Sequence, residues 1–479
     1  MKKTKILFVI MACLLLTSLA GSQELQSGSI RGRVIDDNGQ PLPGVTITIS
    51  GPALLRKITV VTNAEGMFRA PFVSPGSDYE IRAELPGFET IIRKGIIVNL
   101  GKTITLELQM KPSAVQEEVT VLAPTPTVDV VKSSTSTVVT SDVLASLPVA
   151  RDIDSAVRLT PGSVGSSIYG GGRGEIGAVL DGIQMVEPDV GGIALGYDVG
   201  IAWDMVEEVE ILTTGASAEN FYASSGMTNI LMKSGGNKLS GEVSLYFTTE
   251  DLSQIHLPDP DLATLELAKP SIPVYDYDAS FALGGPIIKD KIWFMGEFRY
   301  INSKMTGDFR PTVINGKQYN NYDRAFPNYI GYLKISAQLS KNIRASAMGH
   351  FSMMDAPYYY TGWGLTDEAN THNKPTRFNF GGTVSWTIDS NTILDLRAGG
   401  LYFKWTGSPT KDANPDGPSF YDDFTGYSWG TDSENYTWKP KANISLTATK
   451  FLDGVLGGDH EIKAGLEWER NRGDWGFYR

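Results

Sequence analysis

The sequence has one cysteine, no basic block and no long apolar run beyond its N-terminus. Cys13 is the only cysteine in 479 residues, so disulfides within the chain cannot hold it together. The formal net charge is −12, and no Lys/Arg cluster offsets it, which argues against a nucleic-acid partner. A membrane helix needs about 20 apolar residues. Any crossing of a membrane would therefore have to use strands.

The sequence also lacks the residue patterns of catalysis and of metal binding. Its four histidines are scattered, with no H-E-x-x-H and no cysteines to assist them. A G-x-G-x-x-G spacing over residues 172–177 neither follows a buried strand nor opens a helix, as a dinucleotide site requires. We therefore predict no catalytic residue, no cofactor and no metal site, and we do not expect an enzyme.

The N-terminus has the pattern of a secretory signal peptide. Lys2, Lys3 and Lys5 precede an apolar run over residues 6–16, and small residues follow up to Ser22. This predicts an exported protein whose signal peptide covers residues 1–22. A lipid-modified Cys13 is the alternative, but the apolar run continues past that cysteine.

Glycine (51) and tyrosine (20) are abundant, which favours strands and turns over helices. Residues 28–111 contain about seven short alternating segments and predict a small β-sandwich. Residues 112–127 have the composition of a linker, and residues 128–236 mix helical and strand spacing, which predicts an α+β domain. Residues 237–479 contain only strand and loop patterns. The predicted fold class is therefore mainly β.

The segment GGPIIKDKIWFMGEFRY shows the strand pattern of the last block most clearly. Ile292, Phe294, Phe298 and Tyr300 alternate with polar residues such as Glu297 and Arg299. The block contains nine such candidate strands, at 240–250, 275–285, 290–301, 328–340, 342–352, 377–388, 391–405, 436–449 and 459–470.

The connections between these candidate strands alternate in length. After the first strand they run long, short, long, short, so every long loop falls at the same end of the sheet. A soluble sandwich, the alternative, has no reason for this arrangement, whereas an outer-membrane barrel has short periplasmic turns and long extracellular loops. We predict that the apolar faces contact outer-membrane lipid and that the polar faces line the lumen.

Several segments carry a resemblance to known families. GSIRGRVIDDNGQPLPGVTITIS, TNAEGMFRA and LPGFET resemble the carboxypeptidase regulatory-like domain, which has no peptidase chemistry. The segments LPVARDIDSAVRLTPG, RGEIGAVLDGIQM, VEEVEILTTGASAE, NILMKSGGNKLSGEV and GGPIIKDKIWFMGEFRY resemble TonB-dependent receptors of the Oar-like group, in their order and spacing.

The resemblance implies a specific domain organisation. Residues 128–236 would be a plug inside an antiparallel transmembrane β-barrel of about 22 strands. Residues 237–479 supply about nine of them, so we expect the chain to end within the barrel of a longer protein. The sequence departs from the family near Ser225 and Gly226, where a glycine pair is usual, and this puts the local plug strand in doubt.

The linker contains a candidate TonB box. EEVTVLA matches that motif at Glu118, Val119, Thr120 and Val121, where an extended segment would add a strand to the periplasmic domain of TonB. Such a motif is loose in composition, and a linker that is merely prone to form a strand is the alternative.

The long loops hold aromatic residues that are candidates for ligand contact, because aromatic faces beside carboxylates stack on sugars or bind cations. The alternative is an aromatic girdle at the membrane surface. The candidates are Tyr358, Tyr359, Tyr360, Trp363, Tyr421 and Trp429.

The resemblance implies a function for the whole protein. It would be a receptor in the outer membrane of a Gram-negative cell that takes up a scarce or large extracellular ligand, with TonB as its partner. The ligand could be a siderophore, a vitamin, a glycan or a peptide. An adhesion or secretion-associated protein that reuses this architecture without transport is the alternative.

Overall fold

A computed structural model of the chain describes most residues from Gln26 onward. The predicted signal peptide therefore lies outside the described residues. These are 26–113, 118–122, 134–146, 151–164, 167–171, 175–186, 200–215, 224–252, 273–305, 312–314, 317–319, 324–359, 366–414, 416–423, 427–431, 434–455 and 458–478.

The front domain is built from seven strands that form two facing sheets. One sheet has the order β4-β1-β7, and the other begins β3-β2-β5-β6. Alternate residues of each strand are buried between the sheets, among them Ile30, Ile47 and Ile81. The strands are β1 (Gly28–Ile35), β2 (Thr46–Ser50), β3 (Ile58–Val61), β4 (Met67–Val73), β5 (Gly76–Glu84), β6 (Thr90–Val98) and β7 (Thr103–Gln109).

A further strand, β8 (Glu118–Leu122), extends the second sheet of the front domain beside β6. The plug domain follows, with a five-stranded sheet of order β13-β12-β15-β14-β9. Its elements are β9 (Thr135–Thr140), α1 (Ser141–Ser146), α2 (Ile153–Arg158), β10 (Ser163–Val164), β11 (Ser167–Ile168), β12 (Ile176–Leu180), β13 (Ile183–Gln184), β14 (Val206–Thr214) and β15 (Gly226–Met232).

The plug is organised around strands that are buried on both faces. All residues of β12 and β15 are buried, and the two strands pair in parallel from Ile176 opposite Gly226 to Leu180 opposite Ile230. Asp152 caps α2 by accepting a hydrogen bond from the Ser155 amide at 2.7 Å. The plug strand that the sequence put in doubt near Gly226 is therefore formed.

The rest of the described chain is one large antiparallel sheet with small hairpins. Its strands are β16 (Ser240–Thr249), β17 (Pro273–Ile288), β18 (Ile292–Met305), β19 (Thr312–Ile314), β20 (Lys317–Tyr319), β21 (Arg324–Gln338), β22 (Ile343–Met354), β23 (Thr371–Asn373), β24 (Thr376–Asp389), β25 (Thr392–Pro409), β26 (Ser419–Asp422), β27 (Tyr427–Gly430), β28 (Glu434–Val455), β29 (Gly458–Asn471) and β30 (Asp474–Tyr478). The main order is β16-β17-β18-β21-β22-β24-β25-β28-β29, so each long strand pairs with the next one along the chain.

This sheet, called the wall below, has its polar face inward. Along β24, Arg377 and Asn379 are fully buried, whereas Phe378 and Trp386 are 43% and 44% exposed. The same arrangement holds along β18, where Glu297 and Arg299 are buried and Phe298 is exposed. The polarity is opposite to that of a soluble sandwich and is the one predicted for a barrel. Among the described residues, no helix is both long and apolar enough to cross a membrane.

The front domain lies at the short-turn end of the wall. Arg56 donates to the Lys341 carbonyl in the β21–β22 turn at 3.0 Å, and Arg344 donates to the Phe72 carbonyl. Asn237 Nδ2 donates to the Leu55 carbonyl at 3.3 Å. The long connections leave from the opposite end, as the sequence predicts.

Candidate functional site

The plug contacts the wall through a buried carboxylate at the tip of a hairpin. Asp181 and Gly182 form the two-residue turn between β12 and β13, and both have positive φ (47° and 77°), a conformation that suits an Asp-Gly sequence. Lys334 on β21 donates to Asp181 Oδ1 at 2.8 Å, and the Tyr332 hydroxyl donates to Oδ2. Lys334 and Asp181 are buried, so each charge depends on the other for compensation.

Glycines in the wall allow β13 to come this close. A Cβ atom on Gly381 would lie 2.5 Å from Ile183 Cγ1, and one on Gly399 would lie 2.6 Å from Ile183 Cγ2. A side chain at either position would force Ile183 to shift, so the two glycines allow β13 to lie close to the wall. The glycine pairs at 381–382 and 399–400 are the sequence signal of this contact.

A second ionic network joins the plug to β17 and β18. Arg151 of the plug donates to Asp278 on β17 at 2.9 Å and to Asp204 of the plug. Arg299 on β18 binds the same Asp278 through two nitrogens, at 2.8 and 2.7 Å, and also donates to the Ile201 carbonyl at 2.8 Å. This bidentate geometry is the strong form of an arginine–carboxylate pair.

Asp204 is held in its ionised form within this network. Burial alone would raise the pKa of the carboxyl group, but the hydrogen bond from Ser280 and the charge of Arg151 outweigh it and lower the pKa. Sequence analysis did not identify these contacts between plug and wall, because the partners lie far apart along the chain, with 127 positions between Arg151 and Asp278 and 153 between Asp181 and Lys334.

A cavity of about 300 Å³ lies on the short-turn side of the plug. Charged residues of the plug and wall line it, including Lys233, Lys334 and Asp395, and the front domain adds Phe72. The space between plug and wall is therefore polar at this end, under the front domain.

The loop-side half of the wall carries buried polar atoms. Among the described residues, His350 Nε2, Ser352 Oγ and Asn379 Oδ1 are buried without a hydrogen-bond partner. Asn373 has no partner for either atom of its side-chain amide. Unsatisfied buried polar groups are costly and need an explanation. The alternation of apolar and polar residues along β22 and β24 predicts that these polar side chains share one face of the wall. It does not predict what they bind.

The aromatic loop candidates are partly brought together. Tyr358 donates to Asp412, and the Tyr359 ring packs edge-on against Trp405, with ring centroids 4.9 Å apart. Trp429 stacks on Phe420 at 5.4 Å within the β26–β27 hairpin, where Tyr421 is exposed. Tyr360 and Trp363 lie outside the described residues.

The connection that follows β22 and the connection that follows β25 pack against each other. The Thr366 amide donates to the Ser428 carbonyl at 3.1 Å, and the Gly430 amide donates to Glu368 Oε1 at 3.2 Å. The two loops therefore form one surface at the end opposite the front domain. Whether it contacts a ligand stays a prediction.

The candidate TonB box lies in a strand. Glu118, Val119, Thr120 and Val121 all belong to β8, which pairs in parallel with β6. Its role remains a prediction. In the described part of the chain, no group of three or more His, Cys, Asp or Glu side chains is arranged to hold a metal ion.

Comparison with known families identifies the front domain. Residues 29–111 match the carboxypeptidase regulatory-like domain family. The front domain is a carboxypeptidase regulatory-like domain. Over 288 residues, 57% of its length, the chain is 32% identical to the TonB-dependent transporter Oar of Myxococcus xanthus, of which it covers 26%.

Two solved structures show the fold of the plug and wall. The outer membrane transporter YddB of Escherichia coli matches 70% of this chain with a TM-score of 0.54 at 12% identity. The siderophore receptor PirA of Acinetobacter baumannii matches 71% with a TM-score of 0.50 at 17% identity. The chain covers 48% of each. The resemblance to TonB-dependent receptors and the mainly β fold class are thus confirmed, and the chain spans about half the length of these solved relatives.

Proposed function

We propose that the chain is part of an outer-membrane receptor for TonB-dependent uptake, in which the plug gates the barrel. The observation that carries this proposal is the attachment of the plug to the polar inner face of the wall. Two buried ionic networks, centred on Asp181 and on Asp278, make that attachment. The sequence identity to the transporter Oar supports it.

Ionic contacts suit a plug that must move. Breaking a buried ion pair in a dry interior is costly, but the cost falls when water enters and solvates the separated charges. The polar cavity beside Lys233 and Lys334 lies next to one of the networks and is a route by which water can reach it. The plug can thus be stable at rest and still be displaced by a pulling force.

The polarity of the wall is consistent with a location in the outer membrane. Phe378 and Trp386 would contact lipid, while Arg377 and Asn379 face the lumen. The ligand would enter from the long-loop end, where the Tyr359–Trp405 and Phe420–Trp429 pairs and the unsatisfied atoms of His350 and Asn379 offer aromatic and hydrogen-bonding contacts. Ferric siderophores, vitamins, glycans and peptides all carry groups that can stack on aromatic rings or form hydrogen bonds.

The proposal is tested by binding of TonB's periplasmic domain to the chain in detergent. Deletion of residues 118–121 should abolish binding, because TonB would lose the backbone to which it adds a strand. Deletion of residues 124–127 shortens the same linker by the same length and should leave binding intact.

Equal binding by both deletion variants would contradict the assignment of the TonB box. Absence of binding by the unaltered chain would contradict energy coupling altogether and would favour an adhesion or secretion-associated role.

A further inference from the structure

The candidate TonB box is already part of a β-sheet within the chain. Residues Glu118–Leu122 form the outermost strand of the five-stranded sheet in the front domain. The register runs from Thr90 opposite Glu118 to Lys94 opposite Leu122, and β6 pairs with β5 on its other side. All four candidate box residues therefore lie opposite β6.

This pairing occupies the backbone groups along one of the two edges of β8, so that edge is closed to TonB while β8 stays beside β6. A protein that adds a peptide strand to its own sheet binds the N–H and C=O groups along one edge of the peptide. In β8, the groups on the edge that faces β6 are occupied by the front domain. A segment of five residues has few groups to share between two partners.

We propose that the front domain masks the TonB box: the edge of β6 is the resting binding site for residues 118–122, and TonB gains the segment only when β8 leaves that edge. The inference rests on the proposed function, since it assumes that TonB recognises these residues. It assigns the carboxypeptidase regulatory-like domain a regulatory role in TonB recruitment.

The site on β6 is short, which suits a reversible contact. Gly95 has φ of 73°, and the register between β5 and β6 shifts there, so the edge available to β8 ends at Lys94. Parallel pairing is also slightly less stable per residue than antiparallel pairing. The four-residue connection over 114–117 nevertheless keeps β8 at a high effective concentration beside β6. The pairing is thus favoured at rest but can be displaced.

The far end of β6 is fixed to the plug. In the turn that follows the strand, the Leu100 amide donates to Glu208 Oε2 on β14 at 2.7 Å. Lys102 Nζ donates to Ser136 Oγ on β9 at 2.6 Å, and Ser136 Oγ donates to Glu210 Oε1 at 2.9 Å. A displacement of the plug would therefore act directly on the strand that holds β8.

A reversible cross-link tests the masking. Lys94 and Leu122 lie opposite each other on adjacent strands, which are about 4.8 Å apart, within the Cα separation that a disulfide spans. The double variant Lys94→Cys/Leu122→Cys leaves residues 118–121 unchanged. No other cysteine is present once a signal peptide containing Cys13 has been removed. We expect the oxidised chain to bind TonB's periplasmic domain at least tenfold more weakly than the same chain after reduction.

A second disulfide serves as the matched control. Thr48→Cys/Arg82→Cys joins β2 to β5 in the same sheet without involving β8, and oxidation of this variant should leave binding unchanged. Masking is overturned if the Lys94/Leu122 cross-link does not form, or if the cross-linked chain binds TonB as tightly as the reduced one. Failure of the reduced chain and the unaltered chain to bind would instead overturn the proposed function, and the masking with it.

Discussion

The front domain and the wall are both built from strands in which apolar and polar residues alternate. The apolar face is buried in the front domain, whereas the polar face is buried in the wall. In the front domain the apolar residues, such as Ile47 and Ile81, are inside. In the wall Arg377 and Asn379 are inside and Phe378 is outside. Alternation of period two thus predicts a strand with two unlike faces but does not say which face will be buried.

The lengths of the connections resolve this ambiguity. The front domain joins its strands by connections of two to ten residues, whereas the much longer connections of the wall all leave from one end. The two regions also differ in what stabilises them. Burial of apolar side chains supports the sandwich, at about 25 cal/mol per Å². In the proposed membrane location, the wall would depend instead on full pairing of its backbone, because unpaired groups in lipid cost several kcal/mol each.

The largest effect is expected from a charge placed inside the front domain. Ile81→Asp would bury a carboxylate in a core that offers it only apolar neighbours. The cost, at least about 5 kcal/mol, is comparable to the whole stability of a small domain. Hydrogen exchange should therefore show loss of protection throughout β1–β7.

The matched control for this experiment is Val61→Asp on β3, where the side chain is exposed. A surface substitution of this kind should change stability by no more than about 0.5 kcal/mol. Equal protection in Ile81→Asp and Val61→Asp would show that the comparison between the two interiors is wrong.

The next largest effect concerns a charge removed from the inside of the wall. Lys334→Met leaves the buried Asp181 carboxylate without its cation, which should cost about 3–5 kcal/mol. Adding Asp181→Asn removes the unpaired charge and keeps a residue that tolerates positive φ, so the double variant should recover much of the loss. Hydrogen exchange of the β12 and β15 amides measures the stability of the plug.

Lys450→Met is the control for this pair, because Lys450 and Asp389 form an exposed pair at 4.0 Å. Exposed pairs contribute about 0–1 kcal/mol. If the double variant were as unstable as Lys334→Met alone, the charge of Asp181 would not be the source of the instability.

Much of the wall could be predicted from sequence. All nine candidate strands are present, and the faces assigned to residues such as Phe298 and Arg299 are confirmed. This success has a physical reason, since each strand carries its own alternating pattern and pairs with its neighbour in the chain. The helical spacing predicted within residues 128–236 likewise corresponds to α1 and α2.

The contacts between distant segments could not be predicted. Asp181-Gly182 is a common turn sequence, and nothing near it in sequence points to Lys334, 153 positions away. The segment over 118–122 was prone to form a strand, but β propensity does not identify a partner, and its pairing with β6 was missed. Such pairings depend on how domains assemble, which local patterns do not encode.

The last effect depends on pH and lies at the border between the two regions, at Glu208. Burial raises the pKa of this carboxyl group to about 8, and the neighbouring charges of Glu207 and Glu210 add to the shift, against the hydrogen bond from Leu100. The folded protein therefore binds more protons than the unfolded chain between pH 4.5 and about 8. Stability from this group is fully present below pH 4.5 and is lost as the pH rises through 8.

Glu208→Gln should remove this dependence, because the amide stays neutral and can still accept the Leu100 hydrogen bond. The variant should match the unaltered chain at pH 5 and be more stable at pH 9, as measured by the urea midpoint for exposure of the front-domain–plug contact. Burial also raises the pKa of Glu207, but Glu207 is present in both proteins, so the difference isolates Glu208. Glu65→Gln, at an exposed position, should keep the original pH profile. A Glu208→Gln profile that falls as steeply with pH as the original would mean that the carboxyl group of Glu208 is not protonated in the folded protein.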